Sequence, residues 1–247
     1  MARYCCVVSY DGSNYAGWQK QPNAKSIQAE IEKALAFIHQ KEVEIVASGR
    51  TDAKVHAIAQ VFHFDSEREL TNDKWQQAIN SLVPHDIRIQ SVKRVHDDFH
   101  ARFDAISKRY DYYVSNDINN PFIENYMAKE IKTLDVKAMQ EAAKIFLGTH
   151  DFTSFTSNKI DPRKPRVKTI TKLDVIQEAN CIHMIFEGSG FLRYMVRMIA
   201  QTLIEVGKHK LSYQEVKAML EAKSKSACRY KALPQGLYLV NVNYQDV

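Results

Sequence analysis

The chain has 247 residues and 28.4 kDa, with 45% hydrophobic and 26% charged residues, which fits one large domain or two small ones and excludes a largely disordered chain. A net charge of +5 and a pI near 8.9 permit a nucleic-acid partner without requiring one. The longest apolar stretch, Phe191 to Val206, is broken by Arg193, Arg197, Gln201 and Glu205, and the N-terminal apolar run is too short for a signal peptide, so a cytoplasmic protein with no membrane association is expected.

In chain order, Arg3–Tyr10 reads as a strand ending at an Asp11-Gly12 turn. Ser26 is a helix cap ahead of Ile27, Ile31, Leu35 and Ile38, a stripe at helical spacing. Val43–Ala47 and Gln60–Asp65 are strand-like, Trp75, Ile79 and Leu82 mark a helix stopped near Pro84, and Ile87–Val95 and Lys108–Ser115 are further strands. In the second half, Asp135 caps a helix carrying Val136, Met139, Ala143 and Phe146, with Gly148 as its stop. Cys181–Glu187 alternates, and Phe191, Met195, Ile199 and Thr202 lie along one face of a long helix. Ser212 and Glu215 fit a capping box, and Leu237–Asn243 is a closing strand. The interspersed elements, with strand pairs close in sequence, predict an α+β fold. A division near residue 106 gives parts 1–106 and 107–247.

Cys5, Cys6, Cys181 and Cys228 have no C-x-x-C spacing, and the histidines form no H-E-x-x-H, so neither a metal centre nor a disulfide framework is indicated. The richest chemistry lies in Ala47-Ser-Gly-Arg-Thr-Asp-Ala-Lys-Val-His-Ala57, which puts a cation, a hydroxyl and a carboxylate on one connection between apolar strands. Asp52 could be a nucleophile or a base, and Arg50 could bind phosphate or pair with it. The alternative is a surface turn with a local Arg–Asp contact worth under about 1 kcal/mol. Phe99 to Val114 interleaves basic and aromatic residues, as binding of phosphates and unpaired bases needs, or it is a half-buried strand with a polar face. Gly188 to Arg197 is a glycine-rich entry to a helix with Arg193 and Arg197 four apart on one face. Asn158–Lys172 is a basic stretch suited to a phosphate backbone, or a solvated loop.

Six ordered segments together are specific. They are Tyr10 to Gln21, Ala47 to Ala57, Phe99-His-Ala-Arg-Phe103 with Lys108-Arg-Tyr-Asp-Tyr112, Gly148 to Phe155, Gly190 to Arg197, and Pro234 to Leu239. Over nearly its whole length the sequence resembles the bacterial tRNA pseudouridine synthases of the TruA family. The resemblance implies two RRM-like subdomains, whose antiparallel sheets form a pseudo-continuous sheet around a central RNA-binding cleft, and a homodimer acting on tRNA without a cofactor or metal. It implies isomerisation of uridine to pseudouridine at positions 38, 39 and 40 of the anticodon stem-loop. Asp52 in the G-R-T-D motif would be the essential carboxylate, kept ionised by Arg197, since an opposite charge can lower an Asp pKa by roughly 1–3 units. Tyr110 would stack on the uracil, Leu237 would wall the pocket, and Arg50 would fill the space the uridine leaves. Extruding the base costs a few kcal/mol.

Lys54, Ala59 and Gln201 stand where that family usually has glycine, and Cys228 to Pro234 is an altered version of its small-residue run. If position 54 requires a positive φ, lysine there costs roughly 1 kcal/mol or more; Lys54 could instead add a phosphate contact. These departures leave two further readings open: the same chemistry on another structured RNA such as rRNA, or an RNA-binding paralogue without catalysis.

Overall fold

The structure, a computed structural model, describes residues 1–117, 119–157 and 165–245. They form two compact units, one of Met1–Ile106 with Tyr238–Val247 and one of Ser107–Leu237. Both mix helices with mainly antiparallel strands, so the α+β expectation is met.

The first unit runs β1 (Ala2–Tyr10), α1 (Ile27–His39), β2 (Val46–Ala47), β3 (His56–Ser66), α2 (Asn72–Asn80) and β4 (Ile87–Val95). In its sheet β1 lies between β4 and β3, antiparallel to both, and β2 pairs antiparallel with the other edge of β3. Residues alternate across β1. Tyr4, Cys6, Val8 and Tyr10 are buried, and their partners on β3 include Phe64 and Phe62. Helix α1 begins where the Ser26 hydroxyl accepts the Ala29 amide, and Ile27, Ile31 and Leu35 on its apolar face are buried. Trp75 and Ile79 of α2 are buried too, and Trp75 packs in ring contact with Tyr4, Phe64 and His39.

The closing strand, β10 (Leu237–Asn243), carries Tyr238 and Leu239 opposite His56 and Ala57 in parallel register with β3. The stretch from Tyr238 onward therefore belongs with the first unit, whereas the division at residue 106 assigns it to the second.

The second unit contains β5 (Ser107–Ser115), β6 (Ala128–Lys129), α3 (Val136–Ala143), β7 (Gly148–Asp151), β8 (Val167–Gln177), β9 (Cys181–Gly188), α4 (Met195–Gly207) and α5 (Tyr213–Glu221). Its antiparallel sheet has the order β5-β9-β8-β7, with β6 parallel to β5. Asp135 caps α3 as expected, and Ser212 with Glu215 completes the capping box of α5. Gly148, expected to stop α3, instead opens β7, because the helix has already tightened into a 3₁₀ turn at Lys144–Phe146. Phe191 lies outside α4, which starts only at Met195 after Tyr194 adopts a left-handed conformation with φ 68°. Arg193 and Arg197 therefore do not share a helix face.

The basic stretch is not a loop throughout: from Val167 it is strand β8. Ahead of it, Lys159, Asp161, Arg163 and Lys164 lie outside the described residues, while Arg166 is half-buried and its carbonyl accepts the Phe152 amide at 3.0 Å. All four cysteines are buried and unbridged. Among the described residues no helix is long and apolar enough to cross a membrane.

Candidate active site

The Asp52 loop is set between β2 and β3 and is fixed from below. Ser48 donates to the Gln60 side chain at 2.6 Å, and Gln60 in turn donates to the Gly49 carbonyl at 3.1 Å. The Thr51 hydroxyl is buried against the Tyr10 hydroxyl at 2.8 Å, and the Thr51 carbonyl accepts the Trp18 amide at 3.1 Å. Asp52 is half-buried between these anchors and an exposed Ala53, and its own carbonyl accepts the Val55 amide at 3.2 Å. Thr51 is thus pinned, and Val55 is tied back to the Asp52 carbonyl, while the half-buried Asp52 stays within reach of solvent.

The glycines of the Tyr10–Gln21 segment explain how that segment serves the loop. A Cβ on Gly17, whose φ is +102°, would stand 2.6 Å from the Thr51 carbonyl oxygen and 3.0 Å from the Asp52 carbonyl carbon. A Cβ on Gly12 would stand 2.0 Å from the Val55 oxygen. Both glycines permit backbone to lie directly against the backbone that carries Asp52. His56 closes the arrangement, accepting the Gly12 amide on Nδ1 at 3.1 Å and stacking on Tyr238 at 4.7 Å. The scarcity of glycine marks Gly12 and Gly17 as positions where the backbone needs them, but the sequence alone does not show which backbone each lies against, and the role of His56 is not foreseen.

Arg50 is exposed, and among the described residues no carboxylate lies within 4 Å of it. The alternative of a local Arg50–Asp52 surface pair is not what the loop forms. Lys54 is exposed as well, with φ +64°, and its amide donates to the Tyr15 carbonyl at 3.2 Å. The left-handed backbone foreseen for position 54 is real and a lysine adopts it. Ala59 and Gln201 carry no such strain: Ala59 lies inside β3, and Gln201 lies inside α4 and donates to Glu205 at 2.8 Å. Ala59 also lines an open groove of about 580 Å³ in the first unit, with Ser9, Asp11, His85 and Arg88 on its walls.

In the second unit, Tyr110 on β5 is half-buried, with the Phe191 ring edge-on at 5.3 Å. Arg197 on α4 is 7% exposed. It donates from Nε to the Ala232 carbonyl at 2.8 Å, while its own carbonyl accepts the Ala232 amide at 3.0 Å. Leu237 is buried at the end of the Pro234–Gly236 3₁₀ turn. That turn needs its glycine, since a Cβ on Gly236 would stand 2.6 Å from the Tyr113 oxygen. Tyr112 next to Tyr110 faces inward. Burial raises its phenol pKa, so it stays protonated and donates to the Leu233 carbonyl at 2.9 Å. Tyr110, Arg197 and Leu237 thus lie in one unit, on β5, on α4 and at the first position of β10. Within the Phe99–Phe103 motif, Phe99 and Ala101 are core residues, while Arg102 and Phe103 are exposed.

A family model described as tRNA pseudouridine synthase matches residues 6–104 and 142–245 of this chain. The tRNA pseudouridine synthase A of Oceanobacillus iheyensis is 44% identical over 248 residues, covering 100% of this chain and 98% of that protein. Those of an Exiguobacterium species and of Bacillus subtilis are each 43% identical over 247 residues, covering 100% and 99% of this chain and all of the respective relative.

Proposed function

Because the chain belongs to the tRNA pseudouridine synthase family and isomerises uridine to pseudouridine in tRNA, we propose that its targets are uridines 38, 39 and 40 of the anticodon stem-loop and that Asp52 is the essential carboxylate. The observation that carries this reading is the Asp52 loop, whose backbone is pinned through Thr51, Trp18 and Gly17 while the carboxylate remains only half-buried. Such support holds a reactive group in place without sealing it from a substrate.

The reaction breaks the bond from N1 to the ribose C1′, turns the uracil and forms a bond from C5 to C1′. The proton on C5 leaves and N1 gains one, so the sum of atoms and electrons is unchanged and no cofactor is called for. An ionised Asp52 can attack the ribose, attack the base or take the proton. Tyr110 stacks on the uracil, Leu237 walls the pocket, and Arg197 contributes a cation to substrate binding. Arg50, with no carboxylate to hold it among the described residues, fills the gap left by the extruded base. The active form is a cytoplasmic homodimer.

The test is a tRNA transcript incubated with the enzyme and mapped for pseudouridine by position. Signal at 38, 39 and 40, lost in Asp52→Asn while tRNA binding is retained, is the expected result. Modification confined to other uridines or to ribosomal RNA overturns the target assignment, and full activity in Asp52→Asn overturns the role of the carboxylate.

A further inference from the structure

Where α4 begins, Tyr194 carries three cations around a single ring. The Arg193 guanidinium lies 4.8 Å from the ring centroid, that of Arg197 5.5 Å and the Lys231 ammonium 4.7 Å. No two of these heads can therefore be more than about 10 Å apart, close to one Debye length at 0.1 M salt. The backbones beneath them are fixed. The Arg193 carbonyl accepts the Ser157 amide at 3.1 Å and the Thr156 hydroxyl at 3.2 Å. Lys231 precedes Ala232, whose amide and carbonyl are both bound to Arg197. Tyr194 itself is held at φ 68°, a region that an aromatic side chain rarely occupies and that persists where the surroundings impose it. The Arg193 guanidinium also donates to the Tyr194 hydroxyl at 3.1 Å.

Arg193 and Lys231 are exposed, and among the described residues neither has a carboxylate within 4 Å. The ring quadrupole attracts each cation but does not cancel their mutual repulsion. A bound anion does. We propose that Arg193 and Lys231, spaced by the Tyr194 ring, seat a phosphodiester of the RNA substrate. Tyr194 acts as the positioning residue that holds the two heads at a common distance. The seat belongs to the same unit as Tyr110, whose ring touches Phe191 in the segment leading into Tyr194. This inference rests on tRNA being the substrate, as proposed above.

Neutralising a phosphate releases its counterions, so binding weakens with salt by roughly 0.7–0.9 log units in Kd per log unit of salt for each phosphate neutralised. The experiment measures Kd for a tRNA transcript from 50 to 300 mM KCl, using the full chain and its variants Arg193→Gln, Lys231→Gln and both together. A Lys144→Gln variant, altering a lysine paired with Glu141 on the surface, serves as control. The slope is expected to fall by about 0.7–0.9 in the double variant, which loses the one phosphate contact, and by part of that in each single variant, with the control unchanged. Tyr194→Phe keeps the ring and the wild-type slope. Tyr194→Asn, which tolerates the left-handed backbone, loses part of it. A wild-type slope in the double variant overturns the seat. If the unaltered protein binds and modifies tRNA in the same experiment, only the seat falls; if it does neither, the proposed function falls and the seat with it.

Discussion

Replacing Lys54 by glycine is expected to stabilise the first unit, although it removes a side chain next to the reactive loop. The lysine sits at φ +64°, where an L-residue is disfavoured by roughly 1–2 kcal/mol relative to the right-handed region. Glycine escapes that penalty but loses roughly 0.5–1 kcal/mol more chain entropy on folding. The difference is a gain of roughly 0.5–1 kcal/mol, equivalent to about 1–4 °C in Tm for a chain of this size. The amide bonded to the Tyr15 carbonyl survives in glycine, so no hydrogen bond is given up. Both tryptophans, Trp18 and Trp75, are buried in this unit, and their fluorescence in a urea titration follows its unfolding. Lys54→Ala separates backbone from charge, since it removes the ammonium and keeps the strained φ. The expected order is Lys54→Gly above wild type, with Lys54→Ala close to wild type. A glycine variant no more stable than the alanine variant would refute the strain argument.

Gly17→Ala should act in the opposite direction. Its Cβ has to displace the Thr51 carbonyl, 2.6 Å away, at a φ of +102°, so a loss of roughly 2 kcal/mol and a fall in kcat of at least tenfold are expected in urea titration and pseudouridine assay; wild-type turnover would show that the loop does not depend on this contact. His63 makes the fold acid-sensitive. Burial, helped by the nearby Arg3 and His100 charges, lowers its pKa from 6.5 to about 4, and its neutral Nδ1 accepts the Ala101 amide at 3.1 Å. The unfolded chain therefore binds the extra proton between those values. The stabilisation is complete above pH 6.5 and is lost towards pH 4, with a slope of up to about 1.4 kcal/mol per pH unit. His63→Gln should flatten that part of the stability profile, and an unchanged slope would exclude His63 as its source.

The elements that were legible in the sequence are those whose signals are local. Ser26, Asp135 and the Ser212–Glu215 box announce three helix starts through their own hydrogen bonds, and β4 spans the residues its apolar pattern marks out. Strand β8 was not legible. Its inward residues Ile170, Leu173 and Val175 do not keep a strict period of two, because the pairing with β9 shifts between Ile170 and Lys172. Its lysines gave the segment the look of a solvated run. The start of α4 was misread because the apolar residue Phe191 sits at helical spacing from Met195, while the left-handed Tyr194 lies between them. At the candidate site, Asp52 and Arg50 stand out as reactive residue types on a loop between strands, whereas Tyr110 and Arg197 are singled out only by the family resemblance. The contact of Gly17 with Thr51 joins residues far apart in sequence, and only the folded backbone shows it.

The place of β10 affects how the protein is made. The edge of β3 near His56 is completed only by Tyr238 and Leu239, after the 131 residues from Ser107 to Leu237 have been added. At synthesis rates of about 5–20 residues per second, that edge waits for roughly 7–26 s on the ribosome. During that interval the nascent first half presents unpaired amides and carbonyls beside the very strand that follows the Asp52 loop, an invitation to mispairing between neighbouring chains.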